Sequence, residues 1–444
     1  MTTSEIEYSG LAAIYHKRFV AVHERLASPE ALNVSLRLEI EGPLDFGALA
    51  RAASALIRRH HALRTGFRRH GDQLVQEVHR PRPVTLAVTS LETGLMSADE
   101  RADAIEQWCR EQASTPFEVD GNSLIRFALA QAGADHWILM IVQHHVNTDA
   151  TSTGITLSDL AVLYSAEVGR FDAGLPPPPA QQLDFARWQL ARLTDDYKAE
   201  LIGFWRDELD GAVFDLPLPG DHPRPPHRSG DGTHLNVYLP PGLGEKLAGC
   251  ARAHGATMFA VLTAAFGALL CELARRDDVV IITPFQNRMA PEFETVVGQF
   301  ANSVPLRLRS LPSETVADVI KRTARQLWAL ADHQELLLPE ILEALQINER
   351  PGAAEFPQGF IALHPRTGQH LDMAGLKVTV ADYAVPAAGT DDFGVLVVPE
   401  EQGIRLWTVA ASYLGTQTAR GWLDRYIELL RKFADDPAAP ARDW

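Results

Sequence analysis

The 444-residue sequence predicts an α/β fold built as two α+β two-layer lobes. Two observations carry this reading. Strand-like and helix-like hydrophobic patterns alternate along both halves of the chain. Four consecutive prolines in GLPPPPAQQ (174–182) stand between those halves. Such a run suits neither a helix interior nor a central strand, so it reads as a stiff extended connection. The expected lobes are therefore residues 1–175 and 176–444. No exact repeat relates them, and the duplication is one of style.

In the first half, LNVSLRLEIEG (32–42) alternates apolar and polar residues as a half-buried strand does. DFGALARAASALIRRHHALR (45–64) has helical spacing, and its leading acid is a plausible cap. LIRFALAQ (124–131) and HWILMIVQHHV (136–146) read as neighbouring strands joined by a short turn. ITLSDLAVLYSAEVG (155–169) returns to helical spacing. In the second half, a short helix around ELIGFWRDEL precedes a second proline-rich loop at 216–232. HLNVYLP, DVVIITP (278–284) and SVPLRLRSL (303–311) read as strands. GATMFAVLTAAFGALLCELARR (255–276) reads as a long buried helix, and TARGWLDRYIELLRKFADD (418–436) as an amphipathic one.

Bulk properties exclude several classes. With 57 acidic against 41 basic residues the formal charge is −16, which argues against general binding to nucleic acid or an anionic membrane. Cys109, Cys250 and Cys271 are far apart with no CxxC spacing, so neither a disulfide scaffold nor a structural zinc site is expected, and a reducing cytoplasm is. MTTSEIEYSG lacks the basic start and apolar core of a signal peptide. No stretch of about 18 apolar residues predicts a transmembrane helix.

QHHVNTDATS (143–152) is the stretch with chemical content. On a continued strand His144 and His145 would point to opposite faces, one into a core and one toward a cleft. Two adjacent strand histidines do not share a metal easily, and no HExxH or second ligand cluster accompanies them, so no metal is expected. One histidine in a cleft, with an ordinary pKa of about 6.5, suits base catalysis near neutrality. Two satisfied core histidines beside a turn would also read this way. Asp149 could orient such a site or bind a cation. The chain has no GxSxG elbow, P-loop or GxGxxG, so a serine hydrolase, ATP and dinucleotides are not expected.

Further stretches resemble one family. RHHALRTGF (59–67) is similar to the RHExLRTxF motif of nonribosomal-peptide-synthetase condensation domains, and HHVNTDATS to their HHxxxDGxS motif. DFARWQ (184–189), LPGDHPRP (218–225), DDVVIITPFQNR (277–288), VGQFANSVPLR (297–307) and HQELLLPEILEAL (333–345) resemble further family segments, in the family's order. The resemblance implies two chloramphenicol-acetyltransferase-like lobes in a V, with a tunnel between them and HHxxxD at its centre. It implies transfer of an acyl group from a carrier-protein thioester to an amine or a hydroxyl. On it, His145 is the catalytic residue, either a general base or a group that positions the nucleophile. His144 is structural, and Asp149 pairs with Arg288 as a structural ion pair. Ala150 and Ser152, with Asn302 and Ser303, line the oxyanion site or channel. Arg59, Arg64 and Trp188 fall to structure.

The sequence departs from the family at three places. Ala150 replaces the motif glycine, keeping its N–H for an oxyanion but adding a methyl group. His61 replaces the glutamate of RHExLRT, and YSGLAAIYHKRFVAV is not a clean SxAQxRxW motif. The signatures of epimerisation and heterocyclisation relatives are absent. With no adenylation or carrier region in the sequence, the chain resembles a free-standing condensation enzyme. Its donor would ride on the phosphopantetheine arm of a separate peptidyl or acyl carrier protein. Its acceptor would be a small molecule or a second carrier-bound group. No resident cofactor is expected, because the thioester is already activated. An acyl-CoA-dependent O- or N-acyltransferase and a non-catalytic recruitment module are the competing readings. DDFGVL (391–396) faintly resembles the DFGWG of plant acyltransferases, without the Trp-Gly.

Overall fold

The computed structural model describes residues 5–26, 28–91, 96–225, 232–311, 313–347, 357–364, 370–383 and 392–441. Part of the second proline-rich loop (226–231) and Asp391 of DDFGVL lie outside the described residues. In chain order the elements begin with β1 (Ile6–Leu11), α1 (Ile14–His23), β2 (Asn33–Glu41) and α2 (Phe46–Arg59). β3 (Thr65–His70), β4 (Gln73–His79), β5 (Val88–Ser90) and α3 (Ala98–Ala113) follow. Then come β6 (Ile125–Gly133), β7 (His136–His144), α4 (Ala150–Gly169) and α5 (Gln182–Arg192). The second half runs α6 (Asp195–Glu208), β8 (Gly232–Tyr238), α7 (Leu243–Ala253), α8 (Met258–Ala274), β9 (Asp278–Phe285) and β10 (Asn302–Arg309). It closes with α9 (Val316–Asp332), α10 (Leu338–Ala344), β11 (Gly359–Leu363), β12 (His370–Met373), β13 (Leu376–Tyr383), β14 (Phe393–Glu400), β15 (Gly403–Ala411) and α11 (Thr416–Asp435).

The chain divides into two compact units. The first comprises Met1–Leu193, Arg288–Phe300 and Arg366–Val385; the second comprises Thr194–Asn287, Ala301–Pro365 and Pro386–Trp444. This corrects the expected break at 175/176. The proline run does not end the first unit, because α5 beyond it is anchored there. Gln182 Nε2 donates to Asn147 Oδ1 at 3.1 Å, and Gln189 Oε1 accepts the N–H of Ile14 at 3.0 Å. Two later segments also return to the first unit, one as the strands β12 and β13.

Among the described residues, the main sheet of the first unit has the order β12-β13-β2-β7-β6-β5, and a smaller sheet has the order β1-β4-β3. β7 is buried almost throughout because both faces are covered. Leu139 and Ile141 enter one core with residues of α2 and α4. Ile138, Met140 and Val142 enter the other, with Trp108 and Cys109 of α3. The alternation of side chains across a strand thus feeds two cores from one run of apolar residues. Local signals fix the flanking helices. Asp45 accepts the N–H of Ala48 at 2.8 Å and caps α2.

The second unit has a sheet of order β10-β9-β11-β14-β15-β8. α8 is buried along most of its length. Its Gly267 lets Leu308 of β10 approach: a Cβ there would stand 2.8 Å from Leu308 Cδ1. Tyr426 of α11 donates its hydroxyl to Leu262 O at 2.9 Å. No single helix among the described residues is long and apolar enough to cross a membrane. All three cysteines are buried, and none is joined in a disulfide.

Candidate active site

The site is built where β7 ends. The expected strand ran through Val146, but the ladder stops at His144, and His145–Asn147 form one turn of 3-10 helix. The physical cause is a side chain. His144 Nδ1 accepts the N–H of Val146 at 3.0 Å, which takes that donor from the sheet. The two histidines therefore differ by burial and by turn geometry, and strand alternation does not separate them. His144 is fully buried, and desolvation holds its imidazole down at about 3, with the neighbouring His23 and His145 adding to the effect.

His145 is half-buried. Its Nδ1 lies 2.9 Å from Thr148 O. A carbonyl only accepts, so Nδ1 carries the proton. In the neutral ring Nε2 is then a lone pair. Phe19 of α1 packs against the ring with centroids 4.8 Å apart. The backbone then extends through Thr148 and Asp149 before α4 begins.

Asp149 caps α4, and three donors hold its carboxylate. Its Oδ1 accepts the N–H of Ser152 at 2.8 Å, and its Oδ2 accepts that of Phe300 at 3.1 Å. Arg288 Nη2 donates to both carboxylate oxygens, at 3.0 and 3.3 Å, and to Ser152 Oγ at 2.9 Å. Arg288 Nη1 donates to the carbonyls of Phe293 and Val296 at 2.5 and 2.8 Å. The guanidinium lies over the Phe300 ring, 4.2 Å from its centroid. Both charged side chains of this pair are 4% exposed. The segment 288–300 is thereby clamped beneath the start of α4.

Ser152 belongs to this clamp and not to a channel wall, which corrects its expected place. It is fully buried, and its Oγ donates to Gly298 O at 2.6 Å and accepts Gly298 N–H at 3.0 Å. No hydroxyl proton remains for an oxyanion. Gly298 allows this close approach, since a Cβ would stand 2.6 Å from Gln182 Oε1.

Ala150 opens α4 in ordinary helical conformation and is absent from the residues with positive φ among those described. The missing glycine therefore costs no backbone strain. Asn302 and Ser303 start β10 in the second unit. Asn302 is buried, and its amide N–H groups are consumed by Gln334 O at 2.7 Å and Leu336 O at 2.6 Å. Its expected channel role loses its donors for that reason, while Ser303 is half-buried. Arg59 bonds Asp159 at 2.8 Å, and Arg64 bonds Glu7 at 2.7 Å. His61 stacks on Tyr8 with centroids 5.2 Å apart. Burial, then the nearby Arg64 charge, holds its pKa down at about 4. Trp188 packs between Phe185 and Phe293. No cluster of three or more histidine, cysteine or carboxylate groups suited to a metal occurs among the described residues.

Sequence reading did not find His23, whose Nδ1 lies 3.1 Å from His144 Nε2. It follows no motif and stands 121 residues from its partner. Gly298 and Thr148 were equally silent, because each acts through a backbone group.

Comparison with known proteins identifies the family. The family model described as Condensation domain matches residues 16–444. The chain is similar to malpinin synthetase of Mortierella alpina, 30% identical over 82% of this chain and 5% of that protein. It is similar to phosphinothricin tripeptide synthetase PhsC of Streptomyces viridochromogenes, 34% identical over 70% of this chain and 28% of that protein. It thus spans under a third of either relative's length. Its fold is similar to the first condensation domain of the calcium-dependent antibiotic synthetase in complex with a substrate analogue. There the TM-score is 0.82 at 20% identity, over 98% of each chain. The chain belongs to the condensation-domain family of nonribosomal peptide synthesis, with the chloramphenicol-acetyltransferase-like fold of that family.

Proposed function

We propose that this protein is a condensation enzyme that moves an acyl group from the phosphopantetheine thioester of a separate carrier protein to an amine or alcohol. The observation that carries this is the orientation of His145. Its Nδ1–H is tied to Thr148 O at 2.9 Å, so the neutral ring offers Nε2 as the base. The acceptor's nitrogen or oxygen attacks the thioester carbonyl carbon and gives its proton to Nε2. The tetrahedral intermediate then collapses, the C–S bond breaks, and Nε2–H returns the proton to the departing thiolate. The backbone N–H of Ala150, at the positive end of α4, is the proposed oxyanion donor. Asp149 and Arg288 hold the turn. The donor arm is substrate, so no resident cofactor or metal takes part, and cysteines without disulfides suit a reducing cytoplasm.

The test is intact-protein mass spectrometry of a carrier protein loaded with an acyl thioester, offered a panel of amines and alcohols. Offloading that needs the enzyme is expected, with His145→Ala slower by about 10²–10⁴-fold. Transfer from acyl-CoA alone would make the protein an acyl-CoA acyltransferase. Tight carrier binding without any turnover would make it a recruitment module.

A further inference from the structure

The histidine that precedes the reacting one is itself part of a chain of bonds. His144 Nδ1 accepts the backbone N–H of Val146 at 3.0 Å. That nitrogen cannot carry a proton. A neutral imidazole holds one, so it sits on Nε2. The atom facing Nε2 is His23 Nδ1, 3.1 Å away. His144 Nε2–H is therefore the donor, His23 Nδ1 is the acceptor, and the proton of neutral His23 sits on its Nε2. Each tautomer is dictated by its neighbour, starting from a backbone amide that has only one role.

We propose that His23 is a positioning residue for His145. By accepting the Nε2–H of His144 it fixes that ring's tautomer and angle. His144 in turn holds Val146 N–H and hence the turn in which His145 sits. The inference rests on the reading of His145 as the reacting base. His23 ends α1, and the same helix supplies Phe19 against the His145 ring at 4.8 Å. One helix thus supports both histidines of the pair.

The relay works in one protonation state of His23. Protonated His23 carries a hydrogen on Nδ1 and can only donate there. It then faces the Nε2–H of His144, donor against donor. Moving the His144 proton to Nδ1 brings it against Val146 N–H instead. Protonating His23 breaks the chain at one link or the other. The groups around the pair are few. Glu118 and Glu24 favour the charged form of His23, and Arg69 holds Glu24 at 2.8 Å. Phe117 presents its edge-to-face contact to His144 at 6.3 Å, with Arg126 on its ring at 4.0 Å. Burial outweighs the two glutamates and lowers the His23 pKa, so the relay survives below the ordinary histidine range.

The experiment is ¹⁵N–¹H correlation of the imidazole groups across pH, in the wild type, His23→Asn and His23→Leu. Asparagine keeps an acceptor near the Nδ1 position and does not titrate. In the wild type, a slowly exchanging Nε2–H of His144 is expected at neutral pH, disappearing as His23 protonates. His23→Asn should keep this signal into acid, and His23→Leu should lose its protection at every pH. Turnover, read separately, should fall between about 10- and 100-fold in kcat for His23→Leu, with KM unchanged, and largely recover in His23→Asn. An Nδ1–H tautomer for His144, or a protected Nε2–H in His23→Leu, overturns the relay. If the relay signals behave as expected but no variant changes the rate of an active enzyme, the positioning role is overturned. A protein with no condensation activity at all fails the reading of His145, and the imidazole signals still decide the relay.

Discussion

Arg288 grips Asp149 with a single nitrogen, Nη2, which reaches both carboxylate oxygens at 3.0 and 3.3 Å. Its other terminal nitrogen serves the carbonyls of Phe293 and Val296. The ion pair is thus also the fastening of a returning segment of chain. A lysine, with one compact donor head, cannot span these acceptors.

Removing either partner leaves a buried charge without its counterpart, at a cost of about 3–5 kcal/mol. Arg288→Met and Asp149→Ala should each lower the denaturation midpoint accordingly. Because they share one network, the double variant should cost well under the sum. Urea titration of the three variants measures this. Additive losses would show that the pair does not act as a unit.

Ala150→Gly restores the family's motif residue where the backbone does not need it. The expected result is a loss of stability below about 1 kcal/mol, because glycine is the more flexible residue in the unfolded chain. The offloading rate should be unchanged. Thermal melting and single-turnover rates with one loaded carrier decide it. A large rate gain would mean that the Ala150 methyl group obstructs the donor.

Gly298→Ala tests close approach. The added methyl would stand 2.6 Å from Gln182 Oε1 and 2.8 Å from Phe300 Cε2. Overpacking of this kind costs about 1–3 kcal/mol. A chemical denaturation midpoint equal to the wild type's would show that the 288–300 segment shifts freely, against the clamped geometry.

Acid should destabilise the fold through buried imidazoles. Desolvation holds His16 and His144 down at about 3. In the unfolded chain both charge near the ordinary value of about 6.5. Between these values the unfolded state binds more protons, so stability falls as pH drops. The slope approaches about 1.4 kcal/mol per pH unit for each histidine. His16 Nδ1 accepts the N–H of Ala13 at 3.2 Å, a role asparagine can fill. His16→Asn should flatten the decline of stability between pH 6 and 4 by about one histidine's slope. An unchanged slope would mean that His16 titrates normally.

Local pattern made much of the fold legible. The alternation in 32–42 became β2, and the apolar run ahead of His144 became the central strand β7. The Asp45 cap and the apolar length of α8 were equally plain. What pattern does not carry is partnership. Nothing in LKVTVADY shows that β13 completes a sheet with β2. Nor does a proline run show that the helix after it packs backward. At the site, the family resemblance paired Asp149 with Arg288, and the two side chains meet. The same resemblance misplaced Ser152 and Asn302, because a polar residue beside a motif reads as lining until its donors are counted. Both spend their hydrogens on carbonyls.

The β2–β13 ladder sets a schedule for synthesis. Lys377 bonds Glu41 across 336 residues of chain. At about 5–20 residues per second, a ribosome needs on the order of 10–40 s to travel from the end of α5 to the end of β13. Throughout that interval β2 is a long strand, apolar on one face, with one edge bare, the kind of edge that recruits foreign strands. The nascent first unit must wait, unfinished, for a strand encoded well downstream of α5. Slow translation or a truncated message would leave that edge exposed, and aggregation of early fragments is the expected result.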